Sequence, residues 1–364
     1  MTLILIGIVA LIVAGIALFV NLSPQFGGKV TKTLVAKYAK SNHWDGEKFI
    51  NLQTTTMDIG FMTMPGLLKQ QFKKDPSRRP TKNIDVLEVN EVANATKPRL
   101  TWFGHSAFLL EIGEKNILID PMFGQVPAPH PNLGQKRYST ELPIAVQDLP
   151  IIDAIILSHD HYDHLDYGSI MALKSKVKHY YVPLGCGRHF ERWGIDSSLI
   201  TEMDWWQETQ FENIQLAFTP SRHFSGRGIT DRAKTLWGSW VIKTDSSSIF
   251  FSGDGGYGEH FKEIGDKYGP FDFAMMECGQ YNKLWEQIHC MPEQTAQAAV
   301  DVRAKVAMPI HWGAFTLALH PWTEPIERVT KKADELNLQL CTPKIGEPVI
   351  VGELYPASNW WKEY

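Results

Sequence analysis

The stretch Ile151-Ile-Asp-Ala-Ile-Ile-Leu-Ser-His-Asp-His-Tyr-Asp-His-Leu-Asp166 decides the fold class of this chain. Its first seven residues form an apolar run that is typical of a buried strand. Four potential metal ligands then follow within six residues, His159, His161, Asp163 and His164. Imidazole and carboxylate groups are the donors that Zn²⁺ and similar ions take. A solvated His-rich loop is the alternative, but ligands that leave a buried strand favour a metal site.

One loop cannot supply two complete metal sites, and three later segments offer further ligands at predicted strand ends. His223 ends FTPSRH, Asp254 lies in FFSGDGG and His311 lies in PIHWG. Each of these three residues alone is weak evidence for a metal site, because Asp is common in glycine turns and single histidines are usually structural. The order and context of the four segments together predict the site.

The rest of the body alternates strand and helix signals. Apolar or alternating runs predict strands in residues 100–112, 116–121, 151–157, 215–218, 236–243 and 248–251. Helices are predicted over residues 167–174, 259–268, 292–302 and 324–337. Strands with interspersed helices and no internal repeat indicate a layered α/β domain.

The N-terminus predicts a membrane anchor. Residues 2–20 carry no charge and as a helix would be about 28 Å long, which matches the hydrocarbon thickness of a bilayer. A cleaved signal peptide is the alternative, but no basic residue precedes the run and NLSPQFGG is a poor cleavage site. The lysines at 29, 32, 37 and 40 follow the span, so we expect a single-pass protein of the cell membrane with a cytoplasmic body.

Charge is distributed unevenly along the chain. Residues 21–83 hold 11 Lys and Arg against 4 Asp and Glu, whereas residues 84–364 hold 25 against 36. The acidic body argues against a nucleic-acid partner, and the basic neck indicates an anionic surface nearby. An apolar patch at 59–68, followed by the basic run 69–82, predicts either contact with lipid headgroups or a packed arm with a solvated loop.

The ordered ligands resemble the metallo-β-lactamase superfamily. Residues from about 85 to 350 further resemble the N-acylphosphatidylethanolamine-hydrolysing phospholipase D family and its bacterial relatives. The matching stretches are TWFGHSA (101–107), LSHDHYDHLDY (157–167), DWW (204–206), FTPSRHF (218–224), LWGSW (236–240), GDGGY (253–257), GPFD (269–272) and PIHWGAF (309–315). The histidine motif by itself indicates only the superfamily. LWGSW and DWW narrow the resemblance to the phospholipase D family and its bacterial relatives.

The resemblance implies an αββα sandwich with two metal ions in a groove at one edge. In that family pattern one ion takes His159, His161 and His223, the other takes Asp163, His164 and His311, and Asp254 bridges them together with a hydroxide that attacks the substrate. Zn²⁺ is the expected metal, with Mn²⁺ or Fe as alternatives. The expected organisation is an anchor (1–21), a basic membrane-proximal arm (22–90), a hydrolase domain (91–355) and a C-terminal tail (356–364).

Three further residues fit family motifs. His289 aligns with an active-site histidine and is interpreted as positioning substrate or protonating the leaving group, or else as a packed histidine ahead of a helix. His105 and Asp120 are interpreted as residues that orient metal ligands.

The resemblance implies a membrane-anchored hydrolase that cleaves a phosphodiester in a phospholipid. Residues 275–285 depart from the mammalian pattern of the family, which leaves a lactone or another small ester as an alternative substrate. A catalytically inactive membrane scaffold is a third hypothesis, which the complete ligand set disfavours.

Overall fold

The computed structural model describes residues 2–60, 63–89 and 97–364, without the side chains of Thr2, Leu3 and Phe72. The helices are α1 (Thr2–Leu22), α2 (Lys32–Tyr38), α3 (Met64–Phe72), α4 (Tyr167–Leu173), α5 (Gly187–Arg192), α6 (His260–Tyr268), α7 (Pro292–Asp301) and α8 (Glu324–Leu336). The strands are β1 (Arg99–Trp102), β2 (Phe108–Ile112), β3 (Lys115–Ile119), β4 (Ala154–Ile156), β5 (Tyr180–Pro183), β6 (Ile200–Met203), β7 (Glu208–Phe211), β8 (Ile214–Thr219), β9 (Ser239–Lys243), β10 (Ser248–Phe251), β11 (Phe273–Glu277), β12 (Val306–Ile310), β13 (Gln339–Leu340) and β14 (Val349–Ile350).

Two seven-stranded sheets pack face to face. Their strand orders are β14-β1-β2-β3-β4-β5-β6 and β13-β12-β11-β10-β9-β8-β7. Each sheet is antiparallel in one half and parallel in the other. Between the sheets Phe108 of β2 meets Phe251 of β10, with ring centroids 6.5 Å apart. Helices α4 and α5 pack on the outer face of the first sheet, and α6 and α7 pack on the second. The predicted αββα sandwich is confirmed.

The four helices predicted in the body are present and end within one residue of their predicted bounds. Asp166 caps α4 by accepting hydrogen bonds from the backbone of Gly168 and Ser169. Pro292 begins α7, where its missing N–H costs no hydrogen bond. Asn337 ends α8 in the left-handed conformation.

Three predicted strands are shorter in the structure, of which one, the run 236–243, pairs only over Ser239–Lys243. The run 100–112 forms a hairpin rather than one strand, because Gly104 and His105 both adopt positive φ and reverse the chain between β1 and β2. This turn carries His105 to the end of the sheet. In the run 151–157 only Ala154–Ile156 forms continuous strand, and Ile152 makes an isolated bridge with Val177, so the histidine-rich loop starts directly after the strand at the sheet edge.

The N-terminal helix α1 stands outside the core. Its segment Ile4–Leu22 has a mean hydropathy of 2.8 and is not buried, so it is a candidate membrane span or signal sequence. The following arm packs on the body through the buried Tyr38, Phe49 and Ile84. Phe61 and Met62 of the apolar patch lie outside the described residues, as does the predicted domain boundary near residue 90.

The C-terminal segment packs into the core. Trp360 and Trp361 are buried, and Trp360 stacks on Trp312 with ring centroids 5.3 Å apart. Trp102 completes the group at 6.4 Å from Trp360. These rings support the backbone next to His311, so the last residues of the chain stabilise the strand ends that carry the predicted ligands.

We expect Trp360→Ala to lower the free energy of unfolding by about 3–5 kcal/mol, because it leaves a large cavity among packed rings. Leu133→Ala serves as the matched control, since Leu133 is 63% exposed and its truncation is expected to change stability by less than about 0.5 kcal/mol. Chemical denaturation in detergent measures both. Equal stability of the two variants would contradict the assigned role of Trp360.

Candidate metal centre

All the ligands predicted from the sequence meet at one edge of the sandwich. The loop 157–166 follows β4, His223 follows β8, Asp254 follows β10 and His311 follows β12. Because β10, β11 and β12 are parallel neighbours in one sheet, their carboxyl ends lie at the same edge. The loop after β4, in the facing sheet, meets them there, as the ligand-atom distances show.

Three imidazoles form the first group. The ligand atoms of His159, His161 and His223 lie within 4.8 Å of one another. Nε2 of His159 is 2.9 Å, and Nε2 of His223 is 3.2 Å, from Nδ1 of His161. The far nitrogens of two rings are held by the protein, since Nδ1 of His223 donates to the carbonyl of Ile288 at 2.8 Å and Nδ1 of His159 lies 2.9 Å from Oγ of Ser158. Such outer contacts fix ring orientation.

The second group contains a carboxylate. Ligand atoms of Asp163, His164, His311 and His105 lie within 4.8 Å of one another. Nε2 of His105 is 2.8 Å from Oδ2 of Asp163, and Nε2 of His164 is 3.5 Å from the same oxygen. Oγ of Ser106 lies 3.3 Å from Nδ1 of His311. The structure therefore places His105 in direct contact with a predicted ligand.

Asp254 lies between the two groups. Its carboxylate oxygens are 3.1 Å from His164 and from His311, 3.8 Å from His159 and 3.9 Å from His223. Its buried Oδ1 is the oxygen that lies 3.1 Å from Nδ1 of His311, but it makes no hydrogen bond of acceptable geometry with any described residue, although buried carboxylate oxygens normally accept hydrogen bonds. A carboxylate among four imidazoles, with one oxygen left unsatisfied, fits divalent metal ions of the zinc class.

The residue before Asp254 must be glycine. Gly253 has a φ of +57°, and a Cβ at this position would lie 2.4 Å from the carbonyl oxygen of Gly238. Close approach of the two strands and the left-handed turn both require the absence of a side chain. The glycine recognised in the sequence as a turn signal is therefore what sets the position of the central carboxylate.

Burial sets the protonation of the imidazoles. It lowers the pKa of His161 to about 4 and the pKa values of His159, His223 and His311 well below the usual range. Neutral imidazoles have a free lone pair, which is the form that binds a metal ion. His164 differs, because the nearby Asp254 and Asp163 raise its pKa above the usual value despite its burial.

Asp120 supports the loop 157–166, which carries four of the predicted ligands. It accepts hydrogen bonds from the backbone N–H of Ser158 at 2.7 Å and from its hydroxyl at 2.5 Å. It is also 2.7 Å from Nδ1 of His164. Asp120, His105 and His311 all have φ between +42° and +66°, a region that residues with side chains rarely adopt. Such local strain is typical of functional sites.

His289 lies beside the ligand cluster, and the side chain of Glu277 contacts its ring. The ligand atom of His289 is within 4.8 Å of those of His223 and Asp254, and its ring stacks on His311 at 5.3 Å. Nδ1 of His289 is 2.7 Å from Oε1 of Glu277, whose other oxygen accepts from the backbone of Cys290 at 3.0 Å. Burial raises the pKa of Glu277 well above its usual range.

Two contributors, Ser106 and Ser158, were not assigned a role from the sequence. Glu277, for which the sequence leaves open a place in the site or a hydrogen bond to nearby backbone, ends β11 and contacts both His289 and the backbone of Cys290. Ser106 and Ser158 lie inside motifs that were recognised, next to His105 and His159. Short polar residues beside ligands carry no distinguishing pattern, and only their contacts reveal them.

Comparison with known proteins agrees with this fold. Residues 115–312 match the beta-lactamase superfamily domain. An uncharacterized protein of Mycobacterium tuberculosis is 35% identical over 88% of this chain and 87% of its own length. The N-acyl-phosphatidylethanolamine-hydrolyzing phospholipase D 1 of Caenorhabditis elegans is 30% identical over 71% of this chain and 76% of its own length.

A solved structure described as a possible metal-dependent hydrolase from Veillonella parvula shares the fold. It has a TM-score of 0.55 and 16% identity, and covers 70% of this chain and all of its own. The chain belongs to the metallo-β-lactamase superfamily. It is a metal-dependent hydrolase of that superfamily, with relatives among the phospholipases D that hydrolyse N-acylphosphatidylethanolamine.

We expect Asp120→Asn to weaken metal binding roughly tenfold to a hundredfold, because the amide cannot accept all three of its hydrogen bonds. Competition with a fluorescent chelator measures the affinity. Asp153→Asn is the matched control, since Asp153 is a buried carboxylate at the opposite end of the sheet, paired with Lys178. Unchanged affinity in the Asp120 variant would contradict its role.

Proposed function

We propose that this protein is a membrane-anchored dinuclear hydrolase that cleaves a phosphodiester bond in a phospholipid. The observation that carries the proposal is the buried double ligand cluster centred on Asp254 in a chain that begins with an exposed apolar helix. We further propose that α1 anchors the body at the cytoplasmic face of the cell membrane, as the lysines that follow it favour.

The two ligand groups would hold one ion each. His159, His161 and His223 would hold the first, and Asp163, His164 and His311 the second, with Asp254 shared. Zn²⁺ suits this donor set best, and Mn²⁺ or Fe are the alternatives. When bound, two such ions supply a water that ionises near neutral pH and positive charge beside the substrate's oxygens.

His289 is proposed as the group that gives a proton to the leaving alcohol. Glu277 occupies Nδ1 of His289, which leaves Nε2 as the nitrogen available to a substrate. The ring stands beside Asp254 and His311, at the mouth of the cluster. An expelled alkoxide is a strong base, so a proton held at this position lowers the barrier for a poor leaving group.

The similarity to the Caenorhabditis elegans phospholipase supports a phospholipid as substrate. An anchored enzyme also meets its lipid at a high effective concentration. The segment 275–285, which departs from the mammalian pattern, contains Glu277 and leads towards His289, so it lies beside the proposed substrate. This departure supports a lactone or other small ester as the second candidate substrate.

We expect purified, zinc-loaded protein in detergent to release phosphatidic acid from N-acylphosphatidylethanolamine, and Asp254→Asn to reduce the rate by roughly a thousandfold or more. Chelation removes the activity and added Zn²⁺ restores it. Acyl and sugar lactones are assayed in parallel with the same preparation, and product formation is followed by mass spectrometry.

The results of these assays distinguish the candidate functions. Hydrolysis of lactones alone would replace the phospholipid proposal with the second candidate. Well under one metal equivalent per chain, with neither substrate cleaved, would leave an inactive scaffold. Asp166→Asn is the matched control for Asp254→Asn, because Asp166 caps α4 near the same loop without facing the ligand cluster.

We expect His289→Ala to slow cleavage of an alkyl phosphodiester by roughly a hundredfold or more. The same variant should cleave an aryl phosphodiester within about threefold of wild type, because p-nitrophenolate leaves without a proton. Steady-state kinetics on both substrates, with metal content measured alongside, make the comparison. Equal losses on both substrates would show that His289 acts on binding or packing instead.

A further inference from the structure

A cavity of about 650 Å³ lies between the N-terminal helix and the body. One wall is the second half of α1, with the apolar Val13, Ile16 and Val20, and Phe26 continues it. The opposite wall is formed by the body, including the loop 228–231. The cavity therefore begins on a helix that has no buried residue in its candidate membrane span and is apolar enough to cross a bilayer.

The segment that follows α1 is fixed to the body, so this cavity is built into the fold. The indole of Trp193 donates to the carbonyl of Pro24 at 2.8 Å, and Arg227 donates to that of Gln25 at 2.8 Å. Arg188 donates to the carbonyl of Gly28 at 2.9 Å. Gly27 fits so closely against His189 that a Cβ would overlap its ring at 1.7 Å.

A second cavity, of about 740 Å³, adjoins the first on the side of the ligand cluster. Ile229, Thr230 and Lys234 line both cavities. The second cavity reaches His223 and Phe224. The ring of Phe224 lies 4.7 Å from that of His161 and 5.0 Å from that of His223, centroid to centroid. The two cavities thus lead from the apolar helix to the edge of the proposed metal centre.

The lining of the first cavity suits an amphipathic, anionic molecule. Four cations line it, Lys29, Arg188, Arg192 and Lys234, against the single carboxylate of Asp231. Asp231 already accepts from the backbone of Arg227 and Gly228. Basic groups beside the end of a membrane helix attract phosphate headgroups.

The loop between the cavities carries an unusually exposed apolar side chain. Ile229 is 80% exposed, more than any other large apolar residue recorded as exposed in the described part of the chain. Ile229 lines both cavities, one on each side of the loop. The free energy of an exposed isoleucine side chain is lower in contact with acyl chains than in contact with water.

We propose that a membrane glycerophospholipid reaches the metal centre through this route, passing from the surface of α1 beneath the loop 228–231 and stopping at Phe224. The proposal rests on the function proposed above, because it assumes a lipid substrate. It assigns to α1 a second role beyond anchoring, as one wall of the path that the substrate takes out of the bilayer.

The kinetic test compares Ile229→Asp with Ile151→Asp. Ile151 is also an exposed isoleucine, at 52%, but it lies at the opposite end of β4 from the ligand loop. We expect Ile229→Asp to slow hydrolysis of phospholipid vesicles by roughly tenfold or more, since a charge is costly among acyl chains. Both variants should cleave a water-soluble aryl phosphodiester at the wild-type rate. Equal vesicle rates for the two variants would overturn the route.

A binding test works without turnover. The full-length protein, with p-benzoylphenylalanine at Thr230, is placed in nanodiscs of phosphatidylethanolamine and illuminated, and lipid adducts are detected by mass spectrometry. We expect adducts at Thr230 and none with the same group at Asp245, which lies in the turn between β9 and β10. Absence of adducts at Thr230 would overturn the route.

The two tests separate this inference from the proposed function. Lipid hydrolysis by wild type without adducts at Thr230 would reject the route and keep the function. Adducts at Thr230 in a protein that hydrolyses no phospholipid would support lipid access and reject the proposed reaction.

Discussion

The carboxylate of Asp254, buried within 4 Å of four imidazoles, is the constraint on which the rest of the structure depends. A charged group in this position is costly unless opposite charge or metal ions compensate it. The carboxylates of Asp254 and Asp163 raise the pKa of His164 above its usual value, and Asp254 stands between the two groups of potential metal ligands. The architecture around the cluster holds these groups in place.

Contacts from several segments of the chain hold the cluster in place. Below it, Asp120 binds both the loop backbone and His164, and Gly253 allows two strands to approach closely. Beside it, stacked indoles from three distant parts of the chain, including the last residues, support the turn at His311. The left-handed backbone at His105, Asp120 and His311 persists because these neighbours over-determine it.

The N-terminal region is joined to this core more closely than an anchor alone requires. Hydrogen bonds from Trp193, Arg188 and Arg227 fix the chain just after α1. Arg227 also lies over the ring of Tyr162, next to the predicted ligand His161, and donates to the carbonyl of Asp160 in the same loop. Arg227 therefore contacts both the segment after α1 and the histidine-rich loop, which couples the position of the helix to that of the candidate site.

The sequence by itself determined the layered α/β class, the four body helices and the strand-end order of the ligands, because each rests on local periodicity, caps or motifs. Only the tertiary structure decided that Glu277 stands behind His289 and that Trp360 packs beside Trp312. It also revealed that the run 100–112 turns back at His105. These features come from contacts between segments far apart in the chain, and such contacts depend on how the two sheets pack rather than on any local pattern.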